Sequence, residues 1–273
     1  FHFFDNVIVC LGTGIENTDS KHNTETTVFQ MAATDAKAQN YWKNYTAGNG
    51  KSWLDHAGTG YYTPQPVKFT GLVKQESRMQ NTDKQTEGQW ASLYFDHGKA
   101  PKNASYEYAV IPQTTREKID AFAAAPTYKV LRADNEAHIV SSDATHTVSY
   151  VLFETPKDVL PGGPLLKADT TCLAMVRMIN SKKMLLTVTQ PDLALYRGPN
   201  DDIYKDGKRV ERSVYSRKWR SNASQEIPVR VTLRGKWNFT GNEAIKLVEQ
   251  TKKSTTIEFV CTDGLSFNVE LEK

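Results

Sequence analysis

The chain has 273 residues and a formal net charge of +3, so it is long enough for two domains with sizeable hydrophobic cores. Hydrophobic residues make up 39% and charged residues 24%, which excludes a disordered or collagen-like chain. No apolar run approaches the roughly 18 residues that a membrane-spanning helix needs. We therefore expect no membrane as partner, and because the charges are nearly balanced we expect no nucleic acid as partner either.

The chain opens on Phe1-His2-Phe3-Phe4, without an initiator methionine or a secretory signal segment. It reads as if it begins inside a structural element. We therefore expect a fragment, or a product of processing, of a longer protein whose upstream part could hold the chemistry.

Short runs of β-branched and aromatic residues, separated by turn signals, predict strands along most of the chain. In chain order these are residues 3–11, 67–73, 91–95, 106–111, 128–131, 138–140, 147–153, 172–178, 184–189, 229–233, 256–261 and 265–271. The pairs Asn49-Gly50, Asp206-Gly207 and Asp263-Gly264 suit type I′ turns and predict hairpins. Many short strands at this spacing predict an all-β fold of antiparallel β-sandwiches.

One helix is predicted in the middle of the chain, near residues 114–125. Thr114 can cap its N-terminus, with Glu117 completing a capping box, and Pro126 ends it. A short helix between two β regions is a natural linker. We therefore predict a first domain at residues 1–121 and a smaller β-sandwich at 122–273, which carries the positive excess.

Motif searches point to neither a metal nor a cofactor. Cys10, Cys172 and Cys261 are widely spaced, which excludes a zinc ribbon and favours buried free thiols over a single disulfide. Gly12-Thr13-Gly14 begins a dinucleotide-binding motif, but the third glycine and the following helix are missing. We predict no cofactor, no metal site and no catalytic residue from these motifs.

The strongest candidate for a binding site is the basic segment 205–220, which reads KDGKRVERSVYSRKWR. If it forms a strand, Tyr215, Arg217 and Trp219 share one face. Arginine forks pair with carboxylate or sulfate, and aromatic faces stack on sugar rings, so we take these three residues and Arg212 as candidate substrate-binding residues. The alternative is an edge strand whose charges prevent aggregation.

Three runs resemble signatures of the family 8 polysaccharide lyases, which include chondroitin, hyaluronan and xanthan lyases. They are YFDHGKAPKNASYEYAVIP at 94–112, FFDNVIVCLGTGI at 3–15, and NTETTVFQ at 23–30, the last leaning toward the chondroitin ABC type. By its residues alone, the run 94–112 predicts a strand–loop–strand unit with Tyr106, Tyr108 and Val110 on one side. The resemblance covers residues 1–131 and weakens beyond them.

The resemblance implies cleavage of a uronic-acid polysaccharide by β-elimination. In the family, a tyrosine and a histidine transfer the proton, an arginine assists, and an asparagine neutralises the carboxylate. These groups lie in an N-terminal α/α toroid, and no set in this chain matches them.

We therefore expect the C-terminal β portion of a secreted or periplasmic bacterial glycosaminoglycan lyase. It would consist of part of the large lyase sandwich followed by the small terminal one. Its expected partners are the toroid and a sulfated or uronic-acid polysaccharide. The alternatives are a stand-alone carbohydrate-binding module for sulfated polysaccharide, and a purely structural support for the toroid.

Overall fold

The chain divides into two compact units, Phe1–Val148 and Ser149–Lys273. The computed structural model describes residues 1–46, 48, 50–79, 82, 84–192, 203–210 and 225–273, with the backbone alone at 203–205 and 208–210. The division falls within the strand Thr147–Leu152. It lies further along the chain than the predicted domain boundary at 121/122, which stays a prediction.

The first unit contains two helices, α1 (Ala36–Lys43) and α2 (Arg116–Ala124), among its described residues. Its strands are β1 (His2–Phe4), β2 (Val7–Ile15), β3 (Asn23–Ala32), β4 (Ser52–Leu54), β5 (Gly60–Tyr62), β6 (Lys68–Arg78), β7 (Gln85–Lys99), β8 (Ala104–Ile111), β9 (Tyr128–Ala133) and β10 (Ala137–Ser142). They form a five-stranded sheet in the order β1-β2-β8-β5-β4, a three-stranded sheet in the order β3-β7-β6, and the antiparallel pair β9–β10.

The five-stranded sheet is covered on both faces. Successive residues of a strand point to opposite faces, and in β5 both Tyr61 and Tyr62 are buried. Tyr61 belongs to the cluster formed with β3, β7 and α1, whereas Tyr62 belongs to the cluster formed with α2, β9 and β10. The sheet is therefore the middle layer of the first unit, and its strands carry apolar side chains on both faces.

The two helices begin at side chains that cap their free N–H groups. Asp35 caps α1, which was not predicted, and its Oδ1 accepts a hydrogen bond of 2.7 Å from the amide of Ala38. The mid-chain helix α2 is confirmed, but Thr115 caps it rather than Thr114. The prediction of a single helix is thus wrong for the described chain.

The N-terminal run 3–11 is not one strand. The chain turns at Asp5, whose φ is 48°, so that β1 folds back on β2. Asn6 holds this turn against the end of β8, because its side-chain amide donates to the carbonyl of Pro112 at 2.8 Å. Strand β3 was also missed, since its polar first half, Asn23-Thr24-Glu25-Thr26-Thr27, resembles a loop.

Strand β11 (Thr147–Leu152) leads into the second unit. The further strands are β12 (Leu165–Ala168), β13 (Cys172–Asn180), β14 (Lys183–Thr189), β15 (Ile203–Lys205), β16 (Lys208–Val210), β17 (Ile227–Arg234), β18 (Ile245–Gln250), β19 (Ser254–Cys261) and β20 (Ser266–Glu272). One sheet has the order β12-β17-β19-β18, and β14 pairs with both β13 and β20. All these pairs are antiparallel, and alternate residues of β14, β17 and β19 are buried, so the predicted all-β sandwich class is confirmed.

Two of the predicted hairpin turns can be compared with the strand pairing. Asp206-Gly207 does connect the paired strands β15 and β16. Asp263 and Gly264 both have positive φ, as the turn prediction requires, but β19 pairs with β17 and β18 while β20 pairs with β14. The Asp263-Gly264 hairpin is therefore wrong, because the turn carries the chain from one sheet to another. Asn49 lies outside the described residues.

Candidate functional site

The segment Asp96-His97-Gly98 links β7 to its neighbours. Asp96 accepts hydrogen bonds from the side chains of Asn23 and Lys68 and from the amide of Gly98. These bonds lower the pKa of Asp96 below its ordinary value, and the bond from Lys68 has the largest effect. His97 Nε2 lies 2.8 Å from Thr26 Oγ1 on β3. The polar residues of this segment therefore connect strands of one sheet.

The aromatic residues of the same run pack inside the first unit. Tyr106 and Tyr108 contact Phe95 with ring centroids 5.9 and 6.2 Å apart. Val110 continues that side of β8 and packs against the cluster of β3, β7 and α1. The predicted strand–loop–strand unit, with these three side chains on one side, is confirmed. Its role in the described structure is packing.

A polar groove of about 520 Å³ lies beside two of the signature runs. The groove takes residues from β2, from β8 and the turn before it, and from β9 and the β9–β10 turn. Its lining includes Thr13, Asn103, Ser105, Arg132, Asp134 and Glu136. Hydroxyl and amide groups on one side and charged groups on the other make it a hydrogen-bonding site for a polar ligand.

The charges of this groove do not favour an anion. Arg132 Nε donates to Asp134 at 2.6 Å, and its terminal nitrogen donates to Glu136 at 2.5 Å. The hydrogen bond with Asp134, followed by that with Glu136, helps to raise the pKa of the guanidinium. One cation is shared between two carboxylates, so the cluster is net negative. It would repel the carboxylate or sulfate of a glycosaminoglycan.

Two histidines lie behind this groove in the core. His138 Nε2 is 3.0 Å from Thr13 Oγ1, and His138 and His2 are 5% and 1% exposed. Burial lowers the pKa of His138 and lowers that of His2 to about 3, so both are neutral at pH 7. These side chains are not accessible to a polysaccharide. They are core histidines and not bases for an elimination.

A second groove, of about 440 Å³, lies in the second unit along β18. Phe239 and Leu247 give it an apolar wall, and Leu247 is 52% exposed. Two of its amides are partly used, since Gln250 donates to the carbonyl of Trp237 and Asn242 accepts from two backbone amides. This groove brings together no acid–base pair among the described residues.

The candidate substrate-binding residues Arg212, Tyr215, Arg217 and Trp219 lie outside the described residues, so their prediction is untested. Among the described residues, no group of three or more His, Cys, Asp or Glu side chains could hold a metal ion. No described helix is long and apolar enough to cross a membrane.

Comparison with known proteins assigns the family. The family model of the polysaccharide lyase family 8 super-sandwich domain matches residues 1–123. This part of the chain belongs to polysaccharide lyase family 8. The match includes β1 to β8 and nearly all of α2, the elements that hold the signature runs. The resemblance predicted from those runs is confirmed.

Curated relatives of this family-8 chain extend the similarity beyond residue 123. The chain is 56% identical over its whole length to a chondroitin sulfate ABC exolyase of Bacteroides thetaiotaomicron. It is 34% identical over 88% of its length to a chondroitin sulfate ABC exolyase of Proteus vulgaris. It spans only 27% and 24% of these two relatives.

Solved structures share the fold. A Streptomyces coelicolor chondroitin AC lyase, solved in complex with chondroitin sulphate, matches 99% of the chain with a TM-score of 0.70 and 16% identity. A Paenibacillus xanthan lyase matches 98% of it with a TM-score of 0.67 and 16% identity. The chain spans 32% and 25% of these structures. At such identities the likeness concerns the fold.

Proposed function

We propose that this chain is the C-terminal β-sandwich portion of a lyase that cleaves chondroitin sulfate or a related uronic-acid polysaccharide by β-elimination. The observation that carries the proposal is the 56% identity, over the whole chain, to a chondroitin sulfate ABC exolyase. The chain spans 27% of that relative. In this proposal the catalytic residues belong to an N-terminal α/α toroid in the remainder of a secreted or periplasmic enzyme.

The β portion would act by supporting the cleft and the substrate. The interior of the first unit supports this role, because the five-stranded sheet is held rigidly between two apolar clusters. The signature run 94–112 contributes packing and inter-strand hydrogen bonds rather than an acid–base pair. A rigid wall beside a cleft keeps the bound chain in register with the catalytic groups.

The test is an elimination assay with the 273-residue chain and with an intact enzyme that contains it. Elimination produces an unsaturated uronate, whose ultraviolet absorbance follows the reaction with chondroitin sulfate as substrate. The intact enzyme should form product steadily, and the chain alone should match a buffer control. Steady product formation by the chain alone would contradict the assignment of the catalytic residues to the toroid.

The supporting role needs a separate measurement. In the intact enzyme, Ile119→Ala should lower the melting temperature by opening a cavity in the core of the first unit. Below that temperature, KM and kcat should stay within twofold of the wild type, because no catalytic group is touched. Loss of kcat in a variant whose melting temperature is unchanged would place chemistry in this part of the chain.

A further inference from the structure

The three-stranded sheet of the first unit has a second face that the packing described so far does not use. In β7, Ala91 and Leu93 point into the cluster with β3, β5 and α1. Because side chains alternate, Trp90, Ser92 and Tyr94 point to the opposite face. Trp90 and Tyr94 are each partly exposed. We call this side of β3, β7 and β6 the outer face.

Trp90 lies along this face over a glycine. A Cβ at Gly88 would be 3.0 Å from Trp90 Nε1 and less than 4 Å from two further atoms of the indole ring. A side chain at position 88 would crowd the ring, which would have to move by a few tenths of an ångström. Within the described residues, neither Trp90 nor Tyr94 has a ring contact with another aromatic side chain, in contrast to Phe95 on the inner face.

A pair of amides crosses β7 at the level of Trp90. Gln30 on β3 lies opposite Ser92, and Gln75 on β6 lies opposite Gly88. Gln30 Nε2 donates to Gln75 Oε1 at 2.7 Å, so the two side chains meet above β7. Each amide has further hydrogen-bonding groups, because Gln30 Oε1 is an acceptor and Gln75 Nε2 a donor. The outer face thus carries a row of two aromatic rings along β7, with an amide bridge that crosses the strand at the level of the first ring.

This row suits a sugar chain better than an apolar partner. The C–H face of a pyranose ring packs on an aromatic ring, and its hydroxyls exchange hydrogen bonds with amides. The Cα atoms of Trp90 and Tyr94 are four residues apart on one strand, about 13 Å. That separation exceeds one sugar ring, so the two aromatics would contact different units of an oligosaccharide.

The charges near the row lie at its Tyr94 end, where Asp96 and Glu25, the residue opposite it, both interact with Lys68 and leave one net negative charge. Lys68, opposite Tyr94, is 59% exposed but is paired with Asp96. The aromatic rings and amides themselves are uncharged. Binding here would therefore depend weakly on salt, unlike binding to a basic segment such as 205–220.

We propose that the outer face, defined by Gln30, Gln75, Trp90 and Tyr94, is a binding site for a polysaccharide chain, held by stacking and amide hydrogen bonds. The choice of a glycosaminoglycan as probe rests on the proposed function. The site would hold a part of the polymer through its sugar rings, independently of the sulfate groups.

The test is affinity electrophoresis of the 273-residue chain in gels containing chondroitin sulfate or unsulfated hyaluronan, repeated at low and at raised salt. We expect both polymers to retard the wild type, with less than a twofold loss at raised salt. Trp90→Ala with Tyr94→Ala should reduce the retardation at least tenfold. Phe1→Ala with Phe3→Ala, which removes two exposed rings elsewhere, is the matched control and should leave it unchanged.

Two further variants keep the test decisive. Gln30→Ala with Gln75→Ala leaves both rings in place and should weaken retardation severalfold, which covers the case that loss of Trp90 unfolds the chain. Retardation that survives in a folded Trp90/Tyr94 variant, or a wild type that neither polymer retards, would overturn the proposal. The proposal would also be overturned if raised salt abolished the retardation and Arg217→Ala with Trp219→Ala removed it. None of these outcomes alters the elimination assay, so the proposed function stands or fails separately.

Discussion

Gly12 and Tyr106 lie directly opposite each other on β2 and β8, and the tyrosine ring occupies the space that a side chain on Gly12 would need. A Cβ at Gly12 would be 2.2 Å from Tyr106 Cε1 and 2.6 Å from Cζ. The ring is held from its other side by Phe95, at an interplanar angle of 25°. Two runs typical of the family thus meet in one contact, and Gly12 serves packing rather than nucleotide binding.

Replacing this glycine should destabilise the first unit. Gly12→Ala forces the Tyr106 ring against Phe95, and overpacking of this kind costs about 1–3 kcal/mol of unfolding free energy. Urea unfolding of the chain measures it. Gly71→Ala on β6 is the matched control, because no atom lies within 4 Å of a Cβ built there. Equal losses in the two variants would contradict the steric explanation.

The same contact can be tested by a double-mutant cycle. Tyr106→Ala removes the ring, so Gly12→Ala in that background should cost much less than in the wild type. The expected coupling energy is about 1 kcal/mol or more. Additive effects of the two substitutions would show that the clash is relieved by movement elsewhere.

Glu107 should make stability depend on pH. Its carboxylate accepts a hydrogen bond of 2.8 Å from Tyr128, but burial is the larger effect and raises its pKa above the ordinary value of 4.5. The folded state therefore favours the protonated acid. The contribution of Glu107 to the unfolding free energy is lost as the pH rises from 4.5 through the raised pKa.

Glu107→Gln removes this titration while keeping an oxygen that accepts from Tyr128. The melting temperature of the variant should rise relative to that of the wild type as the pH is increased from about 4 to about 8. Glu16→Gln, at an exposed position, is the control for the loss of one carboxylate. A gain that shrinks as the pH rises would contradict the raised pKa.

Helix α2 should depend on one buried side chain. Ile119 is fully buried and packs against the sheet face that carries Tyr62. Ile119→Ala should cost about 2–5 kcal/mol of unfolding free energy, since the cavity cannot collapse fully. Lys118→Ala, exposed on the same helix, should change it by about 0.5 kcal/mol or less, and similar losses would argue against the cavity.

The three cysteines should be unreactive in the folded chain. All are buried and free, as predicted, and burial is the main cause that raises the pKa of Cys172 to about 12. Iodoacetamide followed by mass spectrometry should find no label in the native chain and three labels in denaturant. Rapid native labelling of Cys172 would contradict the packing of the second unit.

Local signals predicted elements well where they are strong. The strand–loop–strand unit 94–112, helix α2 and the Asp206-Gly207 hairpin were all visible in turn residues, capping residues and alternation. Helix α1 was missed because it is short and polar, and it is stabilised by Trp42, which is buried against Phe29. The Asp263-Gly264 turn was right in backbone geometry but wrong in strand pairing, because turn chemistry does not choose partners between sheets.

By itself, the sequence determined the all-β class, the family resemblance and the turns at Asp206-Gly207 and Asp263-Gly264, because these depend on local order along the chain. Only the tertiary structure decided that the five-stranded sheet is covered on both faces and that Gly12 faces Tyr106. Only it showed Trp90, Tyr94 and the Gln30–Gln75 bridge as one surface. Register and packing bring together residues far apart in the chain, and no local pattern encodes such distances.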